Sequence, residues 1–182
     1  MTGRDVRRDS LGPYRMPVGP TIPVPDTLAF LRGRWRLERR LNDQRSGVRG
    51  TFTGHAEFAA TDDPAVLRYE ERGELRFGGH TGPARRALLF RPLPDGTADV
   101  RFADGRAFYV LDLRSGQWRA RHGCGADEYA VSYLVRAPGW LEERWHVTGP
   151  SKAYETVTTL RRPTHLAVGA ATATRFHDLG GK

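Results

Sequence analysis

Four residues able to do chemistry fall close together: His122, Cys124, Asp127 and Tyr129. An imidazole, a thiol, a carboxylate and a phenol can act as base, nucleophile, orienting acid and hydrogen-bond donor, or as metal ligands. Alternation counted from Trp118 through Ala120 places His122, and Cys124 if the strand continues, on the tryptophan's face. Tyr129, Val131, Tyr133 and Val135 form the same face of the next segment. A short connection between the two would gather His122, Asp127 and Tyr129 at one place. Three readings stay open: a hydrogen-bonded turn in which Asp127 caps amides, a His-x-Cys-x-x-Asp metal site, and a Cys124 nucleophile served by His122. The metal reading lacks a second histidine motif and the nucleophile lacks a recognisable oxyanion hole, so neither a metal nor a catalytic residue is assigned.

A second group is Gly149-Pro150-Ser151-Lys152-Ala153-Tyr154. A Gly-Pro turn there would hold Lys152 and Tyr154 at a rim, where an ammonium and a phenol can meet an anionic or carbonyl group. Plain turn chemistry with a solvated lysine is the competing reading. A third pair, Arg106 and Asp112, flanks Phe108-Tyr109-Val110-Leu111. If Phe108 and Val110 face inward both charges do too; the more apolar alternative turns Tyr109, Leu111 and Leu113 inward and leaves the charges in water. Trp35, Trp118, Trp140 and Trp145 are expected in the core.

These groups need elements to carry them. Asp26 is a plausible N-cap for a short helix through Leu31, stopped by Gly33. After it the chain alternates: Trp35, Leu37 and Leu41 on one face against Arg34, Arg36, Glu38 and Arg40, then Phe52 to Phe58 in the same manner. Further strands are predicted over 65–77, 84–91, 97–102, 107–113, 117–122, 128–136, 140–147 and 153–161, separated by Gly-, Pro- and Asp-rich turns. About ten short strands and one short helix predict an all-β fold, a closed antiparallel up-and-down barrel of eight to ten strands spanning 26–162. Residues 1–25, with five prolines, are expected as a flexible leader and 163–182 as a flexible tail.

The 182 residues carry a formal charge of +8, with 29 basic and 21 acidic groups. All but Lys152 and Lys182 of the basic residues are arginines, and the barrel segment itself holds +5. Arg34, Arg36 and Arg40 form an outward stripe that invites nucleic acid, but Glu38, Glu57, Glu70, Glu71 and Glu74 are interleaved with the arginines and no nucleic-acid module is present. There is no apolar run of membrane-spanning length and no export signal, which points to the cytosol. With Cys124 as the one cysteine, an internal disulfide is excluded.

Leu31-Arg32-Gly33-Arg34-Trp35 resembles the Gly-x-Trp opening of lipocalin and calycin barrels, in which a helix closes the base before the first strand. That resemblance implies a structural role for Gly33 and Trp35, and an arginine of the last strand, Arg161 or its neighbour Arg162, over the tryptophan. The span 27–162 is further similar to a family of mostly bacterial and fungal proteins known as domain of unknown function 6314. The residues carrying this likeness are Phe102 to Arg106, His122 to Tyr129 and Trp145 to Tyr154. It implies a barrel and brings no activity. Nitrobindin-like haem barrels are more distant; their motifs are missing here, so haem is not carried over and no cofactor is assigned. The leading expectation is a cytosolic barrel holding a partly apolar small molecule, contacted by His122, Cys124, Asp127, Tyr129, Tyr133, Lys152 and Tyr154. The alternatives are a barrel isomerase, cyclase or hydrolase built on His122, Asp127, Tyr129 and Lys152, and, third, nucleic-acid binding.

Overall fold

The computed structural model describes residues 19–163. The Asp26 carboxylate accepts from the Ala29 N–H at 2.8 Å and starts helix α1 (Thr27–Leu31). Ten strands follow among the described residues: β1 (Gly33–Asp43), β2 (Arg49–Ala60), β3 (Leu67–Phe77), β4 (His80–Pro92), β5 (Ala98–Phe102), β6 (Ala107–Leu111), β7 (Gln117–Cys124), β8 (Asp127–Ala137), β9 (Trp140–Thr148) and β10 (Ala153–Arg161). Each pairs antiparallel with its sequence neighbours except at β6 and β7, and β1 also pairs with β10, so the first and last strands meet in the middle of one curled sheet. The all-β, up-and-down barrel is as the alternation predicts, with one difference at its closure. Among the described residues no ladder joins the edge strands β6 and β7. Rings bridge this seam instead: Tyr109 lies 5.3 Å from Trp118, and Phe108 6.2 Å from His122.

One end of the barrel is sealed. Trp35 is fully buried and donates its Nε1–H to the Leu31 carbonyl at 2.7 Å, tying strand to helix. The arginine over it is Arg162, 3.9 Å from the ring centroid and donating to the Phe30 carbonyl at 2.7 Å. Arg161, the residue first expected there, points outward and lies over Trp140 instead, because neighbouring positions at a strand end face opposite sides. Gly33 is required at this junction: its φ of 103° suits glycine, and a Cβ there would come within 2.9 Å of the Arg162 guanidinium. Leu31, Leu37, Leu67, Leu111, Leu113, Val135 and Leu141 fill the space above the plug.

Part of the segment expected as leader packs on this end. Ile22 donates its N–H to the Val135 carbonyl at 2.9 Å, and Val24 is buried. The folded unit therefore starts before Asp26. The remainder of the leader reading, and most of the tail, lie outside the described residues. On the outer surface arginines meet acids: Arg34 with Glu57, Arg36 with Glu38, Arg68 and Arg72 with Glu70, and Arg76 with Glu74. Among the described residues no helix is long and apolar enough to cross a membrane.

Candidate functional site

Four strands break their apolar inward pattern at mid-height. Arg39 follows Trp35 and Leu37 on β1, Glu71 follows Leu67 and Tyr69 on β3, Arg86 precedes Leu88 and Phe90 on β4, and Glu143 sits between Leu141 and Trp145 on β9. Because the sheet curls, these charges face one another. Arg39 grips Glu71 with two bonds of 2.8 Å and donates its Nε–H to the Thr158 hydroxyl at 2.7 Å. Arg86 reaches Glu71 at 3.4 Å, and both guanidiniums stand 3.8–3.9 Å from Glu143 Oε2. Tyr69 donates to Glu71 at 2.5 Å and Tyr133 to Glu143 at 2.6 Å, while the hydroxyls of Tyr109 and Tyr133 lie 2.7 Å apart.

This layer is buried and charged, which is tolerated only because its charges are paired and hydrogen-bonded. Burial favours a protonated Glu71, but the hydrogen bonds from Arg39, the charges of Arg86 and Arg39 and the Tyr69 hydroxyl together hold its carboxyl down at about 2. Burial pushes the Tyr69, Tyr109 and Tyr133 phenols up, so they stay neutral donors. Arg39 is fully engaged. Arg86 is not: a third of its side chain reaches solvent, yet its Nε is buried with no hydrogen-bond partner among the described residues.

The layer divides the interior. Toward the helix the side chains leave a cavity of about 20 Å³, lined by Arg86, Glu143, Tyr69 and Tyr133 among leucines and phenylalanines. That is room for roughly one water. This cavity is too small for an organic ligand. Above them the inward apolar residues Leu41, Leu75, Ala84, Phe102, Phe108, Ala120 and Tyr129 are only partly buried. They are on the inner face, on the far side of the charged layer from α1.

Two hairpins form part of the rim. The β7–β8 turn pairs Cys124 with Asp127, and the β9–β10 turn pairs Gly149 with Lys152 through their backbones. Gly149 lets the hairpins approach, since a Cβ there would run into the Asp127 carboxylate. Lys152 donates to Asp127 Oδ2 at 2.6 Å and to the Tyr129 hydroxyl at 2.8 Å. The bond to Asp127, with that to Tyr129, raises the lysine's pKa, so it is an ammonium anchor rather than an amine nucleophile. Tyr154 joins this group: burial, with the neighbouring Tyr129, raises its phenol.

The structure therefore splits the candidate residues. Asp127, Tyr129, Lys152 and Tyr154 come together at the rim, and Tyr133 lies deep in the charged layer. His122 sits opposite Tyr129 in the ladder and presents an edge to Phe108. β7 continues through Cys124, which keeps the parity of Trp118, Ala120 and His122 and is exposed at the strand's end, where Gly125 turns the chain. Among the described residues no three His, Cys, Asp or Glu side chains are placed to hold a metal. Of the two phases open for β6, Tyr109, Leu111 and Leu113 are buried, and Asp112 pairs with Arg114 at 2.9 Å. Arg39, Glu71, Arg86 and Glu143 were missed as interior groups. Their signal is the alternation itself, which assigns all four to the apolar face of their strands.

Residues 31–162 match a family described as a family of unknown function, DUF6314. No curated protein matches the chain in sequence. Among solved structures, the S-type phycobiliprotein lyase CPES from Guillardia theta is similar with a TM-score of 0.53 at 9% identity, over 79% of this chain and 94% of that one. A protein of unknown function from the DUF3598 family of Nostoc punctiforme gives 0.50 at 9% identity, over 80% of this chain and 51% of its own. A redesigned β-barrel bound to DFHBI gives 0.39 at 14% identity, over 73% and 99%. At these identities the likeness is one of fold.

Proposed function

The chain belongs to the DUF6314 family of unknown function, and we propose that it binds one small, partly apolar molecule in the open half of its barrel. The observation that carries this reading is the cup: inward apolar and aromatic side chains left partly exposed above a buried charged floor. Partly exposed apolar side chains that are contiguous and concave mark a binding surface more often than scattered ones do. The floor and the Lys152–Asp127–Tyr129 rim supply polar contacts that orient the molecule, while the ring-bridged seam supplies part of the wall. An enzymatic reading is less well served, because Asp127 is tied to Lys152.

On this reading the protein works in the cytosol, where the exposed Cys124 thiol stays reduced. It does not act on nucleic acid, since acids pair with the surface arginines. Native mass spectrometry of the purified protein, with extraction of any bound molecule, tests the central claim. One equivalent of a small molecule, or stoichiometric uptake of a neutral naphthylamine dye with a blue-shifted emission, is expected. A protein that carries nothing and takes up no dye would sink it. Salt-sensitive retention on DNA would overturn the nucleic-acid part, and recovery in an exported fraction would overturn the cytosolic part.

A further inference from the structure

The β5–β6 ladder skips one residue: Val100 pairs with Tyr109 and Arg101 with Ala107, leaving Phe108 as a bulge. A bulge breaks the alternation and re-aims a side chain. Here it lets both Phe108 and Tyr109 pack on the Trp145 ring, with centroids 5.5 and 6.0 Å away. Phe108 lies nearly parallel to Trp145, at 10°, and also stacks on Phe102 at 4.4 Å and 26°. His122 meets it edge-on from across the seam, at 6.2 Å and 89°. The ring shared by these contacts thus sits on an edge strand, at a bulge, beside a seam that no ladder closes among the described residues. It is held by stacking and can leave without breaking a ladder.

Trp145 adds an independent sign. It is 9% exposed, and its Nε1–H is buried with no partner among the described residues. Buried donors are almost always met, so this one calls for an acceptor. Its chemistry can be narrowed. In the charged layer two guanidiniums offset two carboxylates, and Glu143 is two positions from Trp145 on the same face. A further anion there would be repelled by Glu143 and would upset this balance of two charges against two, whereas a neutral carbonyl oxygen would do neither.

Building on the proposed ligand cup, we propose that this stack is the ligand's slot. Phe108 fills it when the protein is empty, and the occupant is a neutral, flat aromatic molecule whose carbonyl oxygen accepts from Trp145 Nε1. The molecule enters between β6 and β7, displaces the Phe108 ring and stacks against Trp145.

Acetophenone, ethylbenzene and benzoate separate the elements of this proposal, read by displacement of the naphthylamine dye and by calorimetry. The ketone is expected to bind about five- to tenfold more tightly than ethylbenzene, the worth of one hydrogen bond, and benzoate more weakly than the ketone. Trp145→Phe keeps a ring and removes the donor; it should erase the ketone preference while leaving ethylbenzene within about twofold. Phe108→Trp, a bulkier plug, should weaken both neutral probes by about tenfold or more, and Phe108→Ala should strengthen both. Thermal melts of each variant confirm that it is folded. A ketone preference that survives Trp145→Phe, unchanged affinities in both Phe108 variants, or benzoate binding as tightly as the ketone would each overturn the slot while leaving the cup in place. If neither the probes nor the dye bind the natural protein, the cup itself is refuted.

Discussion

The two halves of this barrel are built from the same strands, yet they treat apolar side chains in opposite ways. Toward α1, Trp35, Leu37, Leu67, Leu111 and Leu141 are excluded from water and the space left over holds about one water molecule. Toward the hairpins, Leu41 and Leu75, on continuations of β1 and β3, and Phe102 and Tyr129, on β5 and β8, remain partly exposed. Between them lies the layer of Arg39, Glu71, Arg86 and Glu143. The contrast teaches that the helical end is there to hold the structure together, while the other end gives up burial that it had residues to achieve.

Substitutions in the two halves should separate these roles. The largest effect is expected at the plug: Trp35→Ala should cost about 3–5 kcal/mol in guanidinium unfolding, and Leu41→Ala in the cup only about 1 kcal/mol. Comparable costs would erase the distinction. Next comes the layer between. Glu71→Gln removes one partner of a buried, bidentate pair and should cost about 3 kcal/mol at neutral pH. The Glu71 carboxyl titrates at about 2 when folded against an ordinary 4.5, so its stabilisation is complete above pH 4.5 and is lost as pH falls toward 2. The gap between natural and variant proteins should therefore narrow across that window in acid unfolding; a gap independent of pH would show that Glu71 acts only by packing. Arg162→Ala should cost about 2 kcal/mol, from a ring contact and a charged hydrogen bond lost at the plug. Arg161→Ala, which gives up the exposed contact with Trp140, should cost less in the same melts. The smallest change in stability is expected for Lys152→Met at the rim, where solvent screens the pair with Asp127. Its effect should appear as weaker dye binding, and a variant that loses stability but keeps its dye affinity would place Lys152 with the scaffold.

Much of this contrast can be read from alternation, and the part that cannot has identifiable causes. The strands, the Asp26 cap and the Trp35 plug follow from local pattern, because period and turn chemistry are local. The inner charges follow the same period, yet Glu71 reads as one more surface acid beside Glu70 and Glu74. Its partner Arg39 is 32 positions away and is brought to it only by the curl of the sheet. The rim gathers Asp127, Tyr129, Lys152 and Tyr154 as hairpin proximity suggests, since both turns are short. Cys124 is exposed beside them because the turn starts one residue after it. Phe108 defeats the period for another reason: the bulge at Val100/Arg101 lets two successive residues face the interior, where alternation permits one.

The seam between β6 and β7 also bears on how this chain folds. Among the described residues every ladder joins strands adjacent in sequence except the one between β1 and β10, where Arg39 bonds to Thr158 across 119 positions. That contact carries the largest loop-closure cost in the sheet, whereas the short β6–β7 connection spans a junction with no ladder. A circular permutant opened between β6 and β7, with the original ends linked, would make every strand pair a neighbour in sequence. It would have a lower contact order and should refold faster than the natural chain, with the same sheet at the end.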